Sequence, residues 1–385
     1  MQFIDLGTQQ QRIRAVVEAR IRRVLDHGQY VLGPENEELE ERLAAYVGVR
    51  HALGCASGTD ALVLGLMALG VGPGDAVFTS PFTFVATAEA IALTGAVPVF
   101  VDIEPVTFNL APDRLAQAVE AVRRKDARLH PLPAQALAGE GLHPRGVIAV
   151  DLFGVPADYA AIAEVAAAEE LFVIEDAAQS FGGMRQGRLA GSFGDLAATS
   201  FFPAKPLGGY GDGGMVFTDN DRLAALVRSI RVHGQGEDRY ENVRLGLNAR
   251  LDTLQAAVLL AKCEIFADEV ERRQQVAAAY STRIEGAGLG LVTPQVPEGC
   301  RSAWAQYSVL ADNRQLYLER LAAAGIPYAI YYPRPLHLQA AFAYLGYPAG
   351  ALPVAEDVAG RIFSLPMHPY LAEQDIDRVV AALAG

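Results

Sequence analysis

Residues 196–214 read LAATSFFPAKPLGGYGDGG, and the fold follows from how that stretch is punctuated. An apolar run over 197–202 predicts a buried strand, Lys205 comes just after it, and a glycine-dense turn leads into a second strand at 215–218. The chain has three lysines, Lys125, Lys205 and Lys262. Lys125 belongs to the charged run RRKD at 123–126, which reads as a solvated helix end. Lys262 lies in the helical pattern LDTLQAAVLLAKCEIF with no polar company of its own. Lys205 stands at a strand end, where a rigid scaffold commonly presents reactive groups. The run GYGDGG at 209–214 satisfies the GxGxxG spacing of dinucleotide sites, but that motif needs its last glycine to open a helix. Here the glycines open a strand, so they read as a turn that lets the backbone pass close to Lys205.

A surface-loop lysine is the competing reading, and two upstream segments decide against it. Residues 173–180, VIEDAAQS, form a short apolar strand ending in Asp176, with Gln179 three residues on. Residues 51–66, HALGCASGTDALVLGL, form a small strand that breaks at Ser57-Gly58-Thr59 into an apolar-periodic helix. The free N–H groups of that helix start, with two hydroxyls beside them, make an anion cradle. Each signal alone has a plain alternative: Asp176 could cap a helix, and Ser57-Gly58-Thr59 is ordinary capping sequence. Together they supply what pyridoxal 5'-phosphate requires, namely a lysine for its Schiff base, a carboxylate for its ring nitrogen and a pocket for its phosphate.

Around these landmarks strand-like and helix-like segments alternate. An amphipathic helix over 9–26 comes first. Strands are expected at 76–80, 97–102, 147–152, 172–176, 197–202 and 215–218, with helices at 60–69, 84–93, 111–122 and 159–170. That alternation predicts an α/β protein with a mostly parallel sheet covered on both faces. The Pro-, Gly- and Ala-rich segment 129–145 reads as a surface excursion, and 251–284 as one long bridging helix. The expected division is a large domain with an N-terminal helix, 1–260, and a smaller C-terminal α/β domain, 261–385.

The segments GQYVLGPENEELEERLAAYVG at 28–48, PFTFVATAEA at 81–90, EDAAQSFG at 175–182, GLNARLDTLQAA at 246–257, IPYAIYYPRPLHLQ at 326–339 and SLPMHPY at 364–370 extend the pattern. With them, almost the whole chain resembles the DegT/StrS sugar-nucleotide aminotransferases. The resemblance implies the aspartate-aminotransferase fold (fold type I), pyridoxal 5'-phosphate as cofactor, and Lys205 as the cofactor-linked catalytic lysine. It implies Asp176 on the ring nitrogen, Gln179 on the phenolic oxygen, Phe84 on the ring face, and Gly58, Thr59 and Ser200 on the phosphate. Asn248 resembles a phosphate ligand donated by the neighbouring subunit, which implies a homodimer with shared active sites. L-glutamate would be the amino donor and a nucleotide-linked keto-sugar the acceptor.

Within the family the chain is similar to the branch that aminates C3 of a 3-keto nucleotide sugar, above all UDP-2-acetamido-2-deoxy-3-keto-glucuronate, for bacterial surface polysaccharide (O-antigen). Arg250 would then read the uronate carboxylate with its guanidinium fork, and Tyr331, Tyr332 and His337 would contact the sugar nucleotide. That branch often carries histidine-tyrosine where this chain has Tyr331-Tyr332 before Pro333. A proton-shuttling Lys205 needs a neutral amine, so burial and neighbouring cationic groups are expected to depress its pKa.

Composition narrows the classes. With 385 residues, 51% of them apolar, and a net charge of −13, the chain can bury a large core and is not a general nucleic-acid surface. Cys55, Cys263 and Cys300 are widely spaced and suggest neither a metal pattern nor a disulfide framework. No histidine pair has helical i, i+4 spacing, so no metal site is expected. The opening shows no signal-peptide pattern and no apolar run reaches about 18–20 residues, so a cytoplasmic protein without membrane contact is expected. Three rival classes are weighed: the same cofactor acting on a dTDP- or UDP-linked 3-keto or 4-keto 6-deoxy sugar, a keto-cyclitol or an aromatic amine precursor; a dehydratase releasing ammonia; and a non-catalytic cofactor-binding regulator. A dehydratase branch carries histidine at the lysine position, so Lys205 favours transamination. No helix-turn-helix or basic arm supports the regulator.

Overall fold

Short strands that are almost wholly apolar need cover on both faces, and here they pair into one seven-stranded sheet with helices above and below. The structure, a computed structural model, describes residues 1–238 and 240–385. Helices α1 (Leu6–His27) and α2 (Pro34–Val47) lead into β1 (His51–Cys55), α3 (Gly58–Ala68), β2 (Asp75–Thr79), α4 (Ala86–Leu93) and β3 (Val97–Phe100). Next come α5 (Pro112–Arg124), the short α6 (Ala134–Leu137), β4 (His143–Val150), α7 (Tyr159–Glu169) and β5 (Phe172–Asp176). A small hairpin of β6 (Met184–Arg185) and β7 (Arg188–Leu189) precedes β8 (Leu196–Ser200), β9 (Gly214–Thr218), α8 (Asp221–Ile230) and α9 (Thr253–Cys263).

The sheet order is β1-β9-β8-β5-β4-β2-β3, parallel from β8 to β3, with β9 antiparallel to both its neighbours. Side chains alternate across it. Ile148, Ile174 and Leu196 face α3 and α8, whereas Val147, Ala149 and Val173 face α5 and α7. The parallel strands end at one edge, so β5 and β8, paired through Asp176 and Ala198, bring Asp176 and, two residues beyond its partner, Ser200 to the same edge. Open α/β sheets take their ligands at that edge.

The chain is completed by α10 (Phe266–Gly286), β10 (Cys300–Arg301), β11 (Tyr307–Leu310), α11 (Arg314–Ala323), α12 (Pro353–Arg361), β12 (Ile362–Leu365) and α13 (Glu373–Ala384). β11 and β12 pair antiparallel, and Tyr280, Tyr307, Leu321, Phe363 and Leu383 form a core of their own with α10, α11 and α13. The α/β class with a large, mostly parallel mixed sheet agrees with the sequence expectation.

Three local expectations differ. The helix expected over 251–284 is two helices, because Phe266 packs against the rings of Phe181 and Tyr46, 5.7 and 5.8 Å away, and carries the chain out of line with α9. No glycine or proline marks that break, so the periodicity runs through it. The segment 129–145 is a surface excursion only in part: residues 137–140 are exposed, but Leu132 and Ala136 are buried with α5, and its last residues already belong to β4. A division at 260/261 falls inside α9, and the segment 336–361 returns to the large sheet. There Leu336, Phe342 and Tyr347 pack on Phe100, and Ala355 and Val358 join Phe82 and Phe153. Among the described residues no helix is long and apolar enough to cross a membrane.

Candidate active site

β8 ends at Ser200, two residues before the expected strand end, because the chain turns there. Phe201 N–H donates to Gly213 O at 2.8 Å and Phe202 N–H to Ser200 Oγ at 3.2 Å. A further turn, Lys205 N–H to Phe202 O at 2.8 Å, holds the lysine. Burial pushes the Lys205 amine below its ordinary value, and the charge of Asp176 opposes that shift. The expectation of cationic neighbours is corrected here: the charged group facing Lys205 is a carboxylate, and desolvation alone lowers the amine.

Asp176 mirrors this. Burial pushes its carboxyl up, while the Thr87 hydroxyl (2.8 Å to Oδ2), the Ala178 N–H (3.2 Å to Oδ1) and the Lys205 charge pull it down. Three residues on, Gln179 accepts from Phe153 N–H through Oε1 at 2.8 Å and donates from Nε2 to the Tyr332 hydroxyl at 3.1 Å. The Tyr332 hydroxyl is raised chiefly by burial, and also by the Asp176 charge, so it belongs to the same cluster. Beneath the turn, buried Asp151 accepts from Ser180 Oγ (2.6 Å), Tyr159 Oη (2.8 Å) and Ala157 N–H (2.8 Å). That carboxylate fixes the 176–180 turn from which both Asp176 and Gln179 project.

The anion cradle lies at the neighbouring strand end. Ser57 caps α3, its Oγ accepting from Asp60 N–H at 3.0 Å. Gly58 and Thr59, in the first turn, have N–H groups with no intrahelical acceptor. A Cβ on Gly58 would come 2.7 Å from Ser200 Cβ, and one on Gly214 2.3 Å from Ser57 O. Only glycine lets the start of α3, the end of β8 and the start of β9 close this tightly. Helix N–H groups, the Ser200 hydroxyl, a buried carboxylate and a desolvated amine fit pyridoxal 5'-phosphate in donor set and charge.

The remaining expected residues divide. Phe84 is exposed in the turn before α4. Tyr331 is half-buried between Phe3 and Tyr332, with ring centroids 6.4 and 5.8 Å away. His337 leaves the expected sugar contact and is corrected to a packing residue. Its side chain is fully buried, its Nε2 lies 3.0 Å from Glu356 Oε1, and its ring packs with Phe100 and Tyr347. Asn248 and Arg250 share no hydrogen bond or ion pair with Lys205 or Asp176 among the described residues. Arg250 Nη2 donates to Asn248 Oδ1 at 2.5 Å, and both line a depression of about 460 Å³ with Val31, Ala56, Gly211, Asp212, Asp252 and Gln255.

Residues 11–384 match the model of the DegT/DnrJ/EryC1/StrS aminotransferase family. The chain belongs to this family. It is a pyridoxal-phosphate-dependent sugar aminotransferase. The chain is 48% identical, over 100% of both chains, to the UDP-2-acetamido-2-deoxy-3-oxo-D-glucuronate aminotransferase of Pseudomonas aeruginosa. A DegT/DnrJ/EryC1/StrS aminotransferase from Brucella abortus superposes with a TM-score of 0.93 at 48% identity, covering 100% of this chain and 98% of that one. The S. venezuelae enzyme DesV, solved with a ketimine intermediate, superposes with a TM-score of 0.90 at 36% identity, covering 100% and 97%. In this aminotransferase, sequence reasoning missed Thr87 and Asp151. Thr87 is a buried hydroxyl in the first turn of α4 and Asp151 a buried carboxyl just past the apolar strand β4; a polar residue against an apolar run is the signal that would have found them.

Proposed function

We propose that this aminotransferase moves the amino group of L-glutamate onto C3 of UDP-2-acetamido-2-deoxy-3-keto-glucuronate, in the cytoplasm, toward a diamino uronic acid of surface polysaccharide. The observation that carries this reading is the 48% identity, over the full length of both chains, to the P. aeruginosa enzyme named for that sugar. Pyridoxal 5'-phosphate, when bound, supplies an electron sink that acidifies the donor's Cα–H. Gly58, Thr59 and Ser200 would hold its phosphate, Asp176 its ring nitrogen, Gln179 its phenolic oxygen and Phe84 its ring face. Thr87 and Ala178, by donating to Asp176, favour the ionised carboxylate against the cost of burial. Lys205 Nζ, made more neutral by desolvation, takes the Cα proton of glutamate and, in the second half-reaction, delivers one to C3 of the sugar.

Arg250 is the cationic side chain in its depression and spends one N–H on Asn248, leaving the rest of the fork for a uronate carboxylate. A second copy of the chain would bring Asn248 to the phosphate. Exposed Val31, which lines the same depression, with its exposed neighbours Tyr30 and Leu32, supports a covering partner there.

Incubation with glutamate and a panel of keto-sugar nucleotides, read by product mass, tests the substrate. Arg250→Ala should lower kcat/KM for the 3-keto uronate by about ten- to a hundredfold, the value of a charge-assisted hydrogen bond, while sparing the glutamate half-reaction. Preferred amination of a neutral 3-keto or 4-keto 6-deoxy sugar, or equal loss in both half-reactions, would refute the uronate assignment.

A further inference from the structure

Two features of the chain have no step in the chemistry above, the GYGDGG turn, which only edges the Arg250 depression, and buried Lys262, and they meet. Tyr210 N–H donates to Gln255 Oε1 at 2.8 Å, and the centroid of the Tyr210 ring lies 4.6 Å from Lys262 Nζ. Gln255 and Lys262 are seven residues apart on α9, two turns along one face. The turn is shaped to the glutamine: a Cβ on Gly209 would come 2.8 Å from Gln255 Oε1, and one on Gly211 2.8 Å from its Nε2. The GxG spacing that imitates a dinucleotide motif is thus the imprint of a carboxamide.

Lys262 is 1% exposed, and its Nζ has no hydrogen-bond acceptor among the described residues. Burial pushes its amine down to about 8, against the charge of Glu269 on α10. An ammonium so desolvated is costly unless it is compensated, and the face of the Tyr210 ring is the contact it has. The same turn is bonded to the lysine segment, through Gly209 N–H to Phe201 O at 2.7 Å and Phe201 N–H to Gly213 O at 2.8 Å. Lys205 N–H to Phe202 O, 2.8 Å, continues the chain of bonds.

We propose that Gln255 and Lys262 are positioning residues: α9 grips Tyr210 at its backbone and under its ring, and thereby sets the loop that presents Lys205. The role rests on Lys205 being the cofactor-linked lysine. Neither residue touches the Lys205–Asp176 cluster, so the effect passes through the loop.

Lys262→Met and Tyr210→Leu break the ring contact from opposite sides, the second at a partly exposed position, while Lys262→Arg and Tyr210→Phe keep cation and ring. In cofactor-free protein, the pH dependence of Lys205 reductive methylation, read by peptide mass, reports the environment of its amine. The first pair should shift that titration toward an ordinary lysine and lower kcat of the glutamate half-reaction about tenfold, with KM changed less than about threefold. The second pair should stay within about twofold, and Lys262→Met/Tyr210→Leu should be no worse than the poorer single variant. An unchanged Lys205 titration and kcat in Lys262→Met overturns the proposal, as does a loss that Lys262→Arg shares in step with its Tm. Borohydride trapping of the loaded wild-type protein identifies the cofactor-linked lysine independently. A mark on Lys125 or Lys262 overturns the Lys205 assignment and this role with it.

Discussion

Thr87 carries a buried hydroxyl into the first turn of α4, beside the exposed Glu89, and that hydroxyl helps to hold the charge of Asp176 against burial. Burial raises the Asp176 carboxyl, and the ring-nitrogen role needs it ionised, so activity is lost as pH falls through the raised value. Thr87→Val removes the largest opposing contact. The acidic limb of the glutamate half-reaction should therefore move up by about one to two pH units, the equivalent of a hydrogen bond to a charged group. A pH–rate profile identical to wild type would show that Thr87 does not hold that charge. That Asp176 ends a strand, that Gln179 and Lys205 follow strand ends and that Gly58 opens a helix was legible in the sequence, because strand ends and helix caps are local events, written within a few neighbouring residues. Thr87 was not, since its partner lies 89 positions away. His337 was not, for the same reason: a glutamate on α12 claims it. Lys262 lies in a helix without a hydrogen-bond partner, as its pattern suggested, but the tyrosine ring that covers it comes from the glycine turn and left no local sign.

At the scale of elements, the site depends on how closely α3 approaches β8. The Gly58 contact is with Ser200 Cβ and Cα, atoms fixed to the strand, so an added methyl group cannot be relieved by a rotamer change. Gly58→Ala should move the helix start, weaken cofactor binding by about tenfold or more, and lower the Tm of the cofactor-free protein by several degrees. Ser200→Gly in that background should recover Tm without recovering affinity, because it makes room but removes a hydroxyl. Recovery of both would show that Ser200 is not a phosphate ligand. The strands of the sheet were readable to within a few residues, 172–176 without error, because each is a short apolar run closed by turn residues. The α9–α10 break was not readable. It is imposed by ring packing of Phe266 against distant aromatics, and a continuous helical periodicity carries no trace of it.

At the scale of the whole molecule, one chain holds Lys205, Asp176 and the α3 cradle together, yet ties Asn248 and Arg250 to Lys205 and Asp176 by no hydrogen bond or ion pair among the described residues. That independence has a consequence only assembly can express. If Asn248 serves the cradle of a second copy, Lys205→Ala and Asn248→Ala each spoil a different half of every site. In a heterodimer of the two variants, one site then carries both defects and the other carries none. Mixing the inactive variants under conditions of subunit exchange should restore about a quarter of wild-type activity, since half the dimers are mixed and each has one intact site. If Asn248 acts within its own chain, every site in the mixture keeps one defect and no activity returns. Activity should also rise with the heterodimer fraction measured by native mass spectrometry. Full activity in a protein that stays monomeric at assay concentration would remove the need for a partner altogether.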